Sequence, residues 1–183
     1  WGSASCPVLI GKAMIQLVDS DKQAYIAAYD RKTGKEIWKT DRDNFRGWST
    51  PVLIRAGGHD ELVVNGHAAV CAYDPATGEE LWRWYTVPAP GQPGSETWKD
   101  DHNAWKTGGG GIWQTGSYDP EQNLYIFGTG NPYPTYDPEF RPGDNLYTNS
   151  AVALDVATGD WPHWRGATRD GVAADKTAPT KWS

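Results

Sequence analysis

Sulfur is scarce in this chain: one methionine and two cysteines among 183 residues. Cys6 and Cys71 stand far apart in apolar, strand-like surroundings, without the paired spacing of a metal or redox motif. Both are expected to be small buried hydrophobes. Positive charge is also short, with 17 Lys and Arg against 23 Asp and Glu and a net charge of −6. No basic face for nucleic acid follows from such a balance. No run of about 18 apolar residues occurs, so no membrane-spanning helix is expected. A secretory leader is not visible ahead of the first repeat. The chain starts at Trp1 and stops at Ser183, and it is expected to be a segment of a longer protein, so that missing leader decides nothing. A sustained apolar stripe at helical spacing is absent too, which argues against a helical domain.

What the chain has in quantity is tryptophan, glycine and proline: 11, 21 and 13 residues. Glycine and proline with many aromatics imply short strands and frequent turns, hence an all-β fold. An internal repeat supports this. Ser5-Cys6-Pro7-Val8-Leu9-Ile10 returns as Ser49-Thr50-Pro51-Val52-Leu53-Ile54, an offset of 49 − 5 = 44. Ala28-Tyr29-Asp30-Arg31-Lys32-Thr33-Gly34-Lys35-Glu36-Ile37-Trp38 returns from Ala72 to Trp82 with 72 − 28 = 44 again. Each unit reads as four strands, near 5–10, 12–18, 23–29 and 35–40, then near 49–55, 60–65, 67–73 and 79–84. Four strands in 44 residues is the size of a propeller blade. The Asp30–Gly34 stretch predicts a tight turn, and the closing Trp38 or Trp82 is suited to lie across the neighbouring blade.

A third unit carries insertions. Ile112–Tyr118 and Leu124–Phe127 read as its first two strands, and Ala151 to Gly159 repeats the strand and turn. Its offset from the second unit is 153 − 72 = 81, which places long loops near 86–107 and 131–148. Long loops on a rigid scaffold are where function concentrates. The expected organisation is a partial β-propeller over 1–159, with blades near 1–44, 45–88 and 89–159, and an irregular tail over 160–183. In that tail His163 stands where the closing tryptophan is due, flanked by Trp161 and Trp164.

Ala-x-Asp-x-x-Thr-Gly-x-x-x-Trp at 28–38 and 72–82 resembles the tryptophan-docking motif of quinoprotein propellers. Thr97-Trp98, Ala104-Trp105-Lys106-Thr107-Gly108-Gly109-Gly110-Gly111-Ile112-Trp113, Tyr118-Asp119-Pro120, Gly128-Thr129-Gly130-Asn131-Pro132 and Arg141-Pro142-Gly143-Asp144-Asn145 resemble, in order, an active-site region of pyrroloquinoline-quinone (PQQ) alcohol dehydrogenases. The resemblance implies that Trp113 is the floor of a PQQ pocket. It also implies that Gly109 and Gly110 let backbone approach the cofactor, and that Asn131 is an amide ligand to Ca²⁺ or a larger cation. It further implies a small alcohol substrate, a cytochrome or quinone electron acceptor and a periplasmic location. Beside these stand simpler roles. Trp113 could be packing, Asn131 a turn former, Arg141 and Asp144 a local ion pair bracing the loop, and His102 a solvated side chain.

The resemblance is incomplete. The family's upstream glutamate ligand and downstream aspartate base have no convincing match, so the catalytic residues are unknown, and no vicinal cysteine pair is present. Residues 160–183 resemble the opening segment of PQQ-like repeat proteins, which fits a permutation, a tandem propeller or a joined reading frame. Two functions follow: part of a PQQ-dependent alcohol dehydrogenase, inactive by itself, or a cofactor-free propeller acting as a protein-binding scaffold. A saccharide- or peptide-binding propeller is a third. Three blades would leave two open sheet faces, so an isolated chain is expected to be unstable or to self-associate.

Overall fold

The computed structural model of the chain describes residues 3–43 and 46–156. The turn at Thr158-Gly159, the aromatic cluster at 161–164 and the 160–183 tail lie outside the described residues. Three antiparallel sheets make up the rest. The first holds β1 (Val8–Ile10), β2 (Ala13–Asp19), β3 (Ala24–Asp30) and β4 (Glu36–Asp41). β5 (Val52–Ala56), β6 (His59–Asn65), β7 (Ala69–Tyr73) and β8 (Glu80–Tyr85) form the second. β9 (Ser117–Asp119), β10 (Leu124–Gly128) and β11 (Ala151–Asp155) form the third. Within each sheet every strand pairs with the next in sequence, and no α-helix occurs among the described residues.

The repeat is exact enough to reproduce a defect. Ala28 pairs with Trp38 and Ala72 with Trp82, and in both sheets the register slips at the following residue, Tyr29 or Tyr73. The turn that follows the slip is held by its aspartate. Asp30 Oδ1 accepts the N–H groups of Lys32 and Thr33 at 3.1 and 2.8 Å, and Asp74 Oδ1 those of Ala76 and Thr77 at 2.7 and 2.9 Å. Such bonds to the ionised carboxylate hold Asp30 and Asp74 below the usual carboxylate range.

Two apolar layers separate the three sheets. Ile15, Leu17, Ile26 and Ala28 of the first sheet pack against Leu62, Val64, Cys71 and Tyr73 of the second. The opposite face of the second, with Ile54, Val63, Val70 and Ala72, packs on Ile112, Tyr125, Phe127, Val152 and Leu154. The middle sheet is thus covered on both sides, which is why β7 is buried at every residue while β10 alternates. Trp38 crosses from the first sheet to the second: its Nε1–H donates to the Pro75 carbonyl at 3.1 Å. The Trp82 Nε1–H goes instead to Glu61 Oε2 at 2.7 Å within its own sheet, while its ring packs against the apolar layer shared with the third sheet.

The starts of the first strands are also tied together. Cys6 N–H donates to Thr50 Oγ1 at 3.1 Å, and Thr50 N–H donates to Thr115 Oγ1 at 2.8 Å. Only the backbone of Cys6 takes part, and its thiol is exposed, against the expectation of burial; Cys71 is buried as expected. In the third unit the predicted strand over 112–118 shortens to Ser117–Asp119. Ile112 is buried, but its N–H goes to the Gly66 carbonyl of the second sheet rather than to a ladder partner. Both insertions pack on each other. Trp98 Nε1–H donates to the Leu146 carbonyl at 2.7 Å, Leu146 N–H to Thr97 Oγ1 at 2.9 Å, and Lys99 N–H to the Pro142 carbonyl at 2.8 Å.

Candidate functional site

The glycine run after the first insertion and the loop leaving β10 come together at one end of the second and third sheets. Gly110 N–H donates to the Asn131 carbonyl at 2.9 Å, Tyr133 N–H to that of Gly108 at 3.2 Å, and Gly130 N–H to that of Gly111 at 2.9 Å. Closeness of this order needs glycine. A Cβ on Gly109, whose φ is 109°, would stand 2.6 Å from Pro132 Cα. Gly109 and Gly110 are therefore buried against the 131–133 backbone and Thr86.

Trp113 emerges from this cradle. A Cβ on Gly111 would stand 2.9 Å from its Nε1, and one on Gly130 would stand 3.4 and 3.5 Å from Cζ2 and Cη2. The indole is held along one edge by two residues without side chains and is still 48% exposed. An exposed indole backed by fixed backbone is a platform for a planar ligand. Most tryptophans that the structure describes serve packing instead; Trp84, for example, meets Phe127 edge-on at 5.8 Å and Tyr147 at 5.5 Å.

Asn131 follows Gly130 directly. Its Nδ2 donates to Thr135 Oγ1 at 2.8 Å, which fixes the amide orientation, and Oδ1 accepts no hydrogen bond among the described residues. A free amide oxygen suits a hard cation. The described residues contain no group of three or more His, Cys, Asp or Glu able to hold a metal. The described residues thus fit a stacked planar group and offer a cation one neutral oxygen.

Around this centre the remaining expectations divide. Arg141 does brace the loop, but not by pairing with Asp144. Its guanidinium donates to the carbonyls of Pro134 and Thr135 at 2.8 and 2.9 Å and to Asn145 Oδ1 at 2.9 Å, because the loop folds those acceptors inward. His102 is not merely solvated: its ring meets Phe140 edge-on at 4.4 Å, and Asp101, 3.2 Å from Nδ1, raises its pKa.

The family model for the β-propeller domain of glucose, ethanol and alcohol dehydrogenases (PQQ) matches residues 48–168. The chain belongs to this family of PQQ propellers. It is 48% identical over 83 residues to the quinoprotein alcohol dehydrogenase PedH of Pseudomonas putida, covering 44% of this chain and 13% of that protein. It is 33% identical over 153 residues to methanol dehydrogenase [cytochrome c] subunit 1 of Methylobacterium organophilum, covering 84% of this chain and 19% of that protein. Among solved structures, a europium-containing methanol dehydrogenase superposes with a TM-score of 0.67 at 26% identity, over 85% of this chain and 31% of that one. The chain therefore spans well under a third of the curated relatives named here, and its fold is a partial propeller of all-β blades.

One residue of this PQQ propeller's candidate site had no sequence signal beyond its turn. His67, between β6 and β7, lies beneath Gly111. Its Nδ1 is 3.6 Å, and its carbonyl oxygen 3.3 Å, from the point a Gly111 Cβ would occupy. Asn65-Gly66 ahead of it reads only as a turn.

Proposed function

We propose that this chain supplies the floor of a PQQ site and one metal ligand to a PQQ-dependent alcohol dehydrogenase, for hydride transfer from an alcohol to the quinone. The observation that carries the reading is the half-exposed Trp113 indole backed by Gly111 and Gly130. Bound PQQ supplies the two-electron acceptor that no side chain provides. Trp113 offers a face of fixed orientation, so stacking loses little conformational freedom on binding. Gly109 and Gly110 keep the loop beneath it thin. Asn131 presents Oδ1 to Ca²⁺ or a larger cation, and the other oxygens of that shell come from elsewhere in the protein. A small alcohol as substrate, a cytochrome or quinone as electron acceptor, and a periplasmic setting belong to the same reading. Among the described residues no helix is long and apolar enough to cross a membrane.

Tryptophan fluorescence tests the site directly. Saturable quenching by PQQ is expected, strengthened by Ca²⁺ and weakened by roughly tenfold or more in Trp113→Ala, the scale of a lost stacking partner. Quenching that is unsaturable in a chain with a β-type circular dichroism spectrum would overturn the cofactor reading and leave a cofactor-free propeller scaffold.

A further inference from the structure

Asn131 is held at two levels. The glycine run fixes its backbone: its carbonyl accepts the Gly110 N–H at 2.9 Å, and Gly130 ahead of it is bonded to Gly111 and Asn149 at 2.9 and 2.8 Å. Its side chain is fixed from further along the loop. Nδ2 donates to Thr135 Oγ1 at 2.8 Å and stands 3.5 Å from the Pro132 carbonyl oxygen. A hydroxyl can accept or donate, so Thr135 alone would tolerate either orientation of the amide. A carbonyl can only accept, and the two together keep the N–H side of the amide toward the loop and Oδ1 turned from it. Thr135 is itself clamped. Arg141 donates to the Thr135 and Pro134 carbonyls at 2.9 and 2.8 Å, and to Asn145 Oδ1 at 2.9 Å. Asn145 is 2% exposed, and its N–H donates to the Thr97 carbonyl of the first insertion at 3.3 Å. The rigid guanidinium fork thus anchors Thr135 to a buried residue, although Tyr136 next to it is 96% exposed.

Resting on the reading of Asn131 as a cation ligand, we propose that Thr135 is a positioning residue of that site, its hydroxyl holding the Asn131 amide so that Oδ1 is the end offered to the cation. The chemistry of the ligand makes such a partner necessary. A carboxylate presents an oxygen whichever way it is turned. An amide presents an oxygen in one orientation only, and in the other its N–H donors face the cation and repel it. A neutral ligand therefore depends on the group that orients it, as metal-binding side chains generally depend on their hydrogen-bonded neighbours.

The experiment titrates Ca²⁺ at fixed PQQ, and PQQ in the presence of a chelator, with tryptophan quenching as the readout. The proteins are the unaltered chain, Thr135→Val, Thr135→Ser and Asn131→Ala. Thr135→Val keeps the shape and removes the acceptor. It is expected to raise the half-saturating Ca²⁺ about tenfold, the lower end of what losing such a neighbour costs, with the loss confined to the Ca²⁺-dependent part of the quenching. Thr135→Ser, which keeps the hydroxyl, recovers most of it. Failure of the serine to do so would place the loss in packing and overturn the proposal. So would a Thr135→Val chain that loses metal-free PQQ quenching to the same degree, since Thr135 would then only shape the loop. Should Asn131→Ala raise the half-saturating Ca²⁺ while Thr135→Val leaves it unchanged, only the Thr135 assignment fails. Should Ca²⁺ have no effect on the unaltered chain, or act on Asn131→Ala as it does there, the ligand reading fails and Thr135 with it.

Discussion

Arg42 and Asp19 pair with their side chains 2% and 0% exposed. Arg42 Nε and Nη2 donate to the two carboxylate oxygens at 3.1 and 3.3 Å, and Nη1 donates to the Tyr73 hydroxyl of the neighbouring sheet at 2.7 Å. Tyr73 in turn donates to Glu80 Oε2 at 3.3 Å, which Arg83 holds from the other side at 2.8 Å. Two sheets are thus joined through a buried charge network. Removing Arg42 takes the bidentate partner from a fully buried carboxylate, at about 3–5 kcal/mol. Urea unfolding of Arg42→Ala should show a loss of that size, and Asp19→Leu/Arg42→Met should restore much of it. A loss under about 1 kcal/mol for the single variant would show that water already reaches Asp19. Neither this pair nor His67 was legible in the sequence. Asp19 and Arg42 are separated by 42 − 19 = 23 residues of ordinary strand and turn, and the neighbours of His67 come from two other segments. Trp113 was legible, because it follows a glycine run in a resembling block.

Strands and turns were read with less error where two units repeated each other. All eight strands of the first two sheets fall within a few residues of their expected places, since position 44 residues on carries the same pattern twice. In the third unit the edge of β9 was misplaced, because Ile112 satisfies its N–H across sheets and apolar character alone does not distinguish the two cases. The two equivalent turn glycines provide a matched test of how one sheet meets the next. Gly34 and Gly78 have φ of 71° and 75°. A Cβ on Gly34 meets nothing within 4 Å, whereas one on Gly78 would stand 2.4 Å from Trp38 Cε3 and 2.8 Å from Thr40 Oγ1. Gly34→Ala should therefore cost about 1 kcal/mol of backbone strain. Gly78→Ala should cost about 1–3 kcal/mol beyond that, from overpacking against the indole. Equal midpoints for the two variants in urea would mean that Trp38 is free to move off the turn.

At the scale of the whole chain the central fact is asymmetry of cover. Val63 and Val64 point to opposite faces of the middle sheet and both are fully buried. On β10, Tyr125 and Phe127 are buried while Ile126 between them is 43% exposed. On the first sheet Leu9 and Ile37 are 63% and 52% exposed. Each outer sheet thus covers one face and shows aliphatic residues on the other. A propeller closes such faces with further blades, and the chain alone has only three sheets among its described residues. The hydrophobic effect then favours any second surface that removes these side chains from water. At micromolar concentrations the 20.2 kDa chain should sediment above its monomer mass and bind a hydrophobic dye. Leu9→Glu/Ile37→Glu and Ile126→Glu should each shift the distribution toward monomer, because a charge at the centre of an apolar contact is costly to desolvate. The two changes should act independently, since they lie on different sheets. A chain that stays monomeric and dye-free would show that both faces are already covered, and the glutamate variants would then lose stability rather than change mass.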